Sequence, residues 1–438
     1  MPTKSLRRTR RELLALLGRI SATALLPGRL SAAIPHKAGA TPPVFKPSDA
    51  QAAFLEEMIR RGCAYFWERA EPNTGQVLDR ARADGSPEVR RMASIAATGF
   101  GLSALCIADH HGYYPHADIV ERVRRTLRFH WTTLPQHEGF FYHFSDMTTG
   151  VTSRGAELSS IDTAILLCGV LTCRTYFDDD EIHDLATRIY ERVNWPWMLN
   201  GGTTLSMGWF PNKGFLSARW NMFAEEMMLY LLAIGSPTHP LPPSAWESFR
   251  REQTTYEGIT YLSTNAPLFI HQYSQAWFDL RSKADRHANY FDNSRKATEA
   301  HRLFCMSLGG NYSPDYWGIT SSDAIGGYTG WGGPPKQGPI DGSVVPSAAA
   351  GSLPFLPEAC LQTLMAQRNR FGEKAWQRYG FIDAFNPAKP WFDPDVLGID
   401  LGVSVLMAEN LRSGFVWQYF MKNAEMTGAL HRVGFHRA

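Results

Sequence analysis

From Phe54 onward, apolar residues recur at intervals of three and four, the spacing that lays one face of an α-helix against a core. This periodicity predicts helices near residues 52–69, 93–110, 116–131, 159–176, 180–194, 220–234, 243–252, 267–284, 289–307, 355–370, 372–379 and 413–423. A further apolar helix follows Asp400. There is little of the two-residue alternation that marks strands. The helices are of two kinds. Ile119 to Trp131 and Glu181 to Val193 carry a single charged face, as expected of an outer layer. Ser159 to Cys173 holds one charged residue among fifteen, which suits an inner helix packed on all sides. Alternating outer and inner helices without a fixed-period repeat predict an all-α, double-layered helical toroid rather than a four-helix bundle or a solenoid.

The opening of the chain breaks this pattern. Arg7, Arg8, Arg10 and Arg11 precede the apolar run Leu13 to Leu17 and the small residues Ser31-Ala32-Ala33, so 1–33 reads as an export signal of twin-arginine type. Residues 34–50 contain Pro35, Pro42, Pro43 and Pro47 and read as a stiff linker, leaving 51–438 as the folded domain. The expected destination is the periplasm or the medium. Removing 1–33 would leave 37 basic against 41 acidic residues, a net charge of −4, where the whole chain carries +2. The mild basicity belongs to the signal, so nothing points to nucleic acid as a partner. A mean hydropathy of −0.25 argues against stable membrane insertion once the signal is gone. The six cysteines show neither CxxC nor CxxH spacing and read as buried free thiols.

Three long loops, Thr132 to Leu158, Trp195 to Arg219 and Leu308 to Val345, are rich in glycine, proline and aromatic residues. Loops of this length inside a compact domain are usually functional. Their aromatic side chains suggest a carbohydrate cleft, because flat rings stack on the C–H faces of sugars; ordinary loop packing is the alternative.

Hydrolysis of a glycosidic bond needs two carboxyl groups, one protonated and one that activates water or attacks directly. Burial raises a carboxyl pKa, so lone acids in apolar surroundings are the ones to find. Asp162 is the only charge in its inner helix, at the first turn. Glu225 and Glu226 are the only charges in Trp220 to Gly235, and on a helix they diverge by about 100°, so at most one faces a shared cleft. Asp400, between Gly398 and Gly402, and Asp323, in a loop before Gly326-Gly327, are further candidates, though either could simply form a turn. His271 could meet a sugar hydroxyl or sit as a core histidine. No HExxH, P-loop, GxSxG or dinucleotide fingerprint occurs, and no metal or organic cofactor is required.

Longer motifs carry a family resemblance: SIAATGFGLSAL (94–105), GFFYHFSDMTTG (139–150), ELSSIDTAILL (157–167), PLFIHQYSQAWFD (267–279), PSAAAGSLPFLPE (346–358), YGFIDAFN (379–386), LGID (397–400) and ENLRSGFVW (409–417). Through them the chain from about Phe54 to Phe435 resembles the glucoamylase-like domain family that includes the glycoside hydrolase family 144 β-1,2-glucanases. The resemblance implies an (α/α)6 toroid, a glucan partner and inverting hydrolysis of β-1,2-glucosidic bonds. It also implies Glu225 as the acid, since the family's aromatic, spacer and glutamate fall on Trp220, Phe223 and Glu225. Asp162 and Asp400 match acidic family positions, either of which would serve as base. For inversion the acid and base should lie roughly 6.5–9.5 Å apart. Trp209, Trp220, His271, Tyr273, Trp317 and Asp323 are then expected to bind sugar. Where relatives read QGP after the aspartate that corresponds to Asp400, the chain has Leu401-Gly402-Val403. A glycosyl-transferring enzyme, one acting on another linkage, and a noncatalytic glucan-binding protein are the alternatives.

Overall fold

The computed structural model describes residues 45–263, 267–334 and 336–438. The expected signal and residues 34–44 of the expected linker lie outside these, while residues 49–50 already belong to the first helix. The longer helices are α1 (Asp49–Glu68), α2 (Ile95–His110), α3 (His116–Thr132), α4 (Ser160–Tyr176), α5 (Asp180–Glu191), α6 (Trp195–Leu199), α7 (Met227–Gly235), α8 (Tyr290–Leu308), α9 (Pro346–Ala350), α10 (Pro357–Phe371), α11 (Gly398–Arg412), α12 (Phe415–Phe420) and α13 (Ala424–Arg432). Two short 3-10 stretches, Leu268–His271 and Ser274–Ala276, complete the set that matters for the core.

Their order makes an (α/α)6 toroid. The inner layer is α2, α4, α7, the 268–276 segment, α9 and α11, and the outer layer is α1, α3, α5, the 3-10 turn Pro243–Glu247, α8 and α10. Chemistry sorts the layers. Residues 95–108 of α2 are all buried, as is all of α7, whereas α3 and α5 bury only one face. The last two helices pack on the C-terminal ends of the inner ring: Thr175 Oγ1 donates to the Tyr419 carbonyl (2.7 Å) and Arg174 to Asn423 Oδ1 (2.7 Å).

Close approach of the inner helices depends on glycine. A Cβ on Gly169 of α4 would lie 2.0 Å from the Gly99 carbonyl oxygen of α2, and one on Gly99 would lie 2.4 Å from that of Ile165. On the other side of α2, a Cβ on Gly402 of α11 would lie 2.3 Å from Phe100 Cγ. Backbone cannot yield as a side chain can, so Gly169→Ala is expected to cost about 3 kcal/mol or more, read as a fall in the unfolding midpoint. An unchanged midpoint would contradict the tight α2/α4 crossing. All six cysteines are buried free thiols, as their spacing suggested.

Four predicted helices take other forms. That over 243–252 is only the 3-10 turn Pro243–Glu247, and that over 372–379 is the 3-10 turn Gly372–Lys374 followed by a strand pair, 376–377 with 380–381, because Gly372 and Gly380 turn the chain at positive φ. The helix expected over 220–234 starts only at Met227, because Asn221 and Phe223 pair their backbones with Arg250 and not with their own turn. The helix expected over 267–284 is instead the two 3-10 pieces. Here the Gln272 amide donates to the Ala348 carbonyl (2.8 Å) and Ser352 Oγ (2.7 Å), tying the segment to α9.

Candidate active site

The N-terminal ends of the inner helices converge on one mouth of the toroid, and short antiparallel ribbons lace them together. Residues 92–94 pair with 144–146, 158–159 with 208–210, and 80–82 with 395–397. Across these ribbons Ile95 N–H donates to the His143 carbonyl, His143 N–H to Glu157, and Gly398 N–H to Asp79. A helix N-terminus presents unpaired N–H groups and partial positive charge, so this mouth favours carboxylates. Asp162 and Asp400 occupy first turns of α4 and α11, and Glu225 lies just ahead of α7.

Asp162 is buried (5% exposed) and held from two sides. Ser159, the N-cap of α4, donates its hydroxyl to Asp162 Oδ2 at 2.5 Å, and His143 Nε2 lies 3.5 Å from the same oxygen. The other His143 nitrogen is 3.4 Å from Glu157 Oε1. Burial alone would depress the histidine pKa, but the two carboxylates outweigh it and the net displacement is upward. His143 was not singled out in the sequence, where the quoted stretch GFFYHFSDM contains it without marking its partners.

Glu225 and Glu226 are both fully buried yet differently placed. The Glu225 carbonyl accepts from Ser274 Oγ (2.7 Å), which fixes this residue against the 268–276 segment at the inner wall. Glu226 curls back so that Oε2 accepts from Ala224 N–H (2.7 Å). Burial, with the neighbouring Glu225 charge adding to it and backbone N–H groups and Arg251 opposing, pushes the Glu226 pKa up to about 8. The folded state therefore retains a proton that the unfolded chain releases near pH 4.5, so this group costs stability increasingly as pH rises from about 4.5 to 8. Glu226→Gln is expected to stabilise the fold by on the order of 2 kcal/mol at pH 7 and by nothing below pH about 4, with activity retained. Thermal unfolding at the two pH values checks this.

Asp400 is buried beside Tyr273, whose hydroxyl donates to Asp400 Oδ1 at 3.5 Å. With Asp383, Ser347 and Ser404 it lines a small internal cavity of about 20 Å³, room for roughly one water. Asp383, which the sequence reading passed over, is buried on the same side. Burial, then the neighbouring charges of Asp400, Asp393 and Asp323, hold its carboxyl well above the usual range. Its Oδ2 accepts from the Asp323 N–H (2.7 Å). Asp323 also forms an ion pair with Arg80, which Asp79 contacts at 3.2 Å. Asp393 and Asp395 complete this acidic edge, and among the described residues Asp323, Asp393 and Asp395 form the one group spaced to hold a metal ion. Burial, with neighbouring charge, raises the Asp393 pKa to about 7.

The residues expected to bind sugar fall in three places. Trp220 and Tyr273 lie at the mouth but are buried; the Trp220 indole N–H donates to Ser160 Oγ (2.9 Å) at the start of α4. Trp209 is half-buried at the rim, stacked on His137 (centroids 4.9 Å) and against Trp197. Trp317 and His271 are inside the protein. Burial, with His301 adding to it, holds the His271 pKa near 3, so it is neutral, and its ring packs on Phe223. Of the loop aromatics, Phe140, Phe141, Trp195, Tyr312 and Trp331 are likewise core.

The fold is thus an (α/α)6 toroid whose inner helices begin at one mouth, and it is this architecture that the chain shares with known proteins. Residues 217–424 match the family model described as putative glucoamylase. It is 27% identical over 416 residues to an exo β-1,2-glucooligosaccharide sophorohydrolase (non-reducing end) of Parabacteroides distasonis. That match takes in 84% of this chain but only 56% of the relative's length. Among solved structures, an endo-β-1,2-glucanase from Chitinophaga pinensis, in complex with sophorotriose and glucose, superposes with a TM-score of 0.82. The two are 27% identical, and 88% of this chain and 98% of that one are covered. A β-1,2-glucanase from Parabacteroides distasonis gives 0.81 at 25% identity, covering 88% and 60%.

Proposed function

We propose that the chain is a glycoside hydrolase that cleaves a β-1,2-linked glucan with Glu225 as general acid and either Asp162 or Asp400 as general base. What supports this reading is that Asp162 and Asp400 stand in the first turns of two inner helices and Glu225 just ahead of a third, in a toroid whose relatives are β-1,2-glucan hydrolases. The burial of Glu225 suits an acid that must hold its proton near neutral pH. Asp162, held in place by Ser159 and His143, suits the base. Asp400, next to Asp383 and the Tyr273 hydroxyl, suits either a base or a group gripping sugar hydroxyls. Because all three are at most 5% exposed, a sugar ring reaches them only when the covering loops give way. Trp209 and Trp220 would flank its path, and Tyr273, His271, Trp317 and Asp323 would act there or support those that do. In this reading the protein works in the periplasm or medium after export through its twin-arginine-like signal, a point that cell fractionation checks.

The linkage is tested by supplying linear β-1,2-glucan, laminarin and soluble starch in parallel and following new reducing ends. Release from the β-1,2-glucan alone is expected. Activity confined to starch would remove the linkage assignment, and sugar transfer without net hydrolysis would remove the reaction type.

A further inference from the structure

The acidic edge of the mouth gathers more carboxyl groups than arginines to pair with them. Six carboxyl groups, from Asp79, Glu88, Asp323, Asp383, Asp393 and Asp395, surround three guanidinium groups, from Arg80, Arg82 and Arg90. The arginines are committed. Arg80 is shared between Asp79 and Asp323, and Arg90 between Glu88 and Asp395. Asp393 Oδ1 accepts from the Asp395 N–H (3.0 Å), but among the described residues no donor reaches its Oδ2. Nor does any reach Asp383 Oδ1 beside it. Both residues are 4% exposed, so these oxygens cannot turn to water. A buried carboxylate oxygen without a donor is costly, and a cation is what would repay it.

We infer that Asp323, Asp393 and Asp395 together bind one hard divalent cation, calcium by its ligand type. Each contributes an oxygen, and the three lie within 4.8 Å of one another. Oxygens around a single calcium ion are at most about 5 Å apart, twice the usual bond length, and calcium accepts carboxylates in irregular arrangements that magnesium does not. Asp323 is partly exposed, which opens the site to an ion and to waters that complete its shell. Such an ion would clip the loop bearing Asp323 to the strand 395–397 that leads directly into α11 and Asp400. It would make Asp323 a metal ligand and positioning residue, independently of which glucan the enzyme cleaves.

The test uses the mature protein stripped with a chelator and titrated with calcium chloride by calorimetry and by thermal unfolding. Binding of one ion per chain is expected, with a saturable rise in Tm. Asp393→Asn keeps the acceptor for the Asp395 N–H but loses the charge, and should weaken calcium affinity about 10- to 100-fold with an unchanged circular dichroism spectrum. If that variant does not fold, Asp323→Asn at the exposed edge gives the same reading. No heat and no Tm shift up to about 10 mM calcium would overturn the inference. Undiminished binding in the folded variant would overturn the location, and tighter binding of magnesium than of calcium would overturn the ion.

Discussion

Glu225→Gln is expected to lower kcat on β-1,2-glucan by roughly 10³-fold while leaving affinity for a sophoro-oligosaccharide nearly unchanged. Glutamine fills the same volume and accepts the same hydrogen bonds, but its amide has no proton to give the departing sugar oxygen. The loss should therefore appear in kcat and not in binding, the signature of an interaction made only in the transition state. An aryl glycoside with a good leaving group needs less protonation and should recover much of the loss. Full activity of the variant on the natural glucan would take Glu225 out of the mechanism. The Glu226→Gln variant is the control, because its carboxyl turns back to Ala224 N–H and away from this task.

The second large effect separates Asp162 from Asp400. Replacing the true base by asparagine should cost on the order of 10² to 10⁴ in kcat. An inverting enzyme that has lost its base leaves room for a small anion to attack in place of activated water, so added azide should restore turnover and yield an inverted glycosyl azide. The other aspartate, replaced in the same way, should chiefly raise KM, since it would hold sugar hydroxyls in ground and transition state alike. If neither variant responds to azide, the acid and base roles as stated here fail.

The toroid was legible because its signals are local. A run such as Ser159 to Cys173, apolar all round, has nowhere to go but between two layers, and the charged faces of α3 and α5 mark their outward sides. The same all-round apolarity hides where an inner helix begins. Nothing in Trp220 to Ala224 announces that its backbone pairs with Arg250, and this displaced the start of α7 to Met227. The segment 267–284 failed similarly, since its departure from a helix depends on the Gln272 contacts to residues 348 and 352.

At the site, Asp162, Glu225 and Asp400 could be picked out as lone acids in apolar sequence. Their partners could not. His143 meets Asp162 through a ribbon, and Asp383 meets Asp323 across 60 residues. Asp393 and Asp395 look like ordinary turn residues in WFDPDV until the fold sets them beside Asp323. The aromatic loops show the opposite error. Trp317 and Trp195 have the composition of sugar platforms but the burial of a core, and only a structure tells a ring that faces a cleft from one that fills it.

The most direct test of the central claim is proton NMR of the wild-type enzyme acting on linear β-1,2-glucan, recorded from the first minutes of reaction. The account predicts short β-1,2-linked oligosaccharides whose new reducing ends appear first as the α-anomer and then mutarotate. No new anomeric signals from β-1,2-glucan, with glucose released from starch under the same conditions, would contradict it.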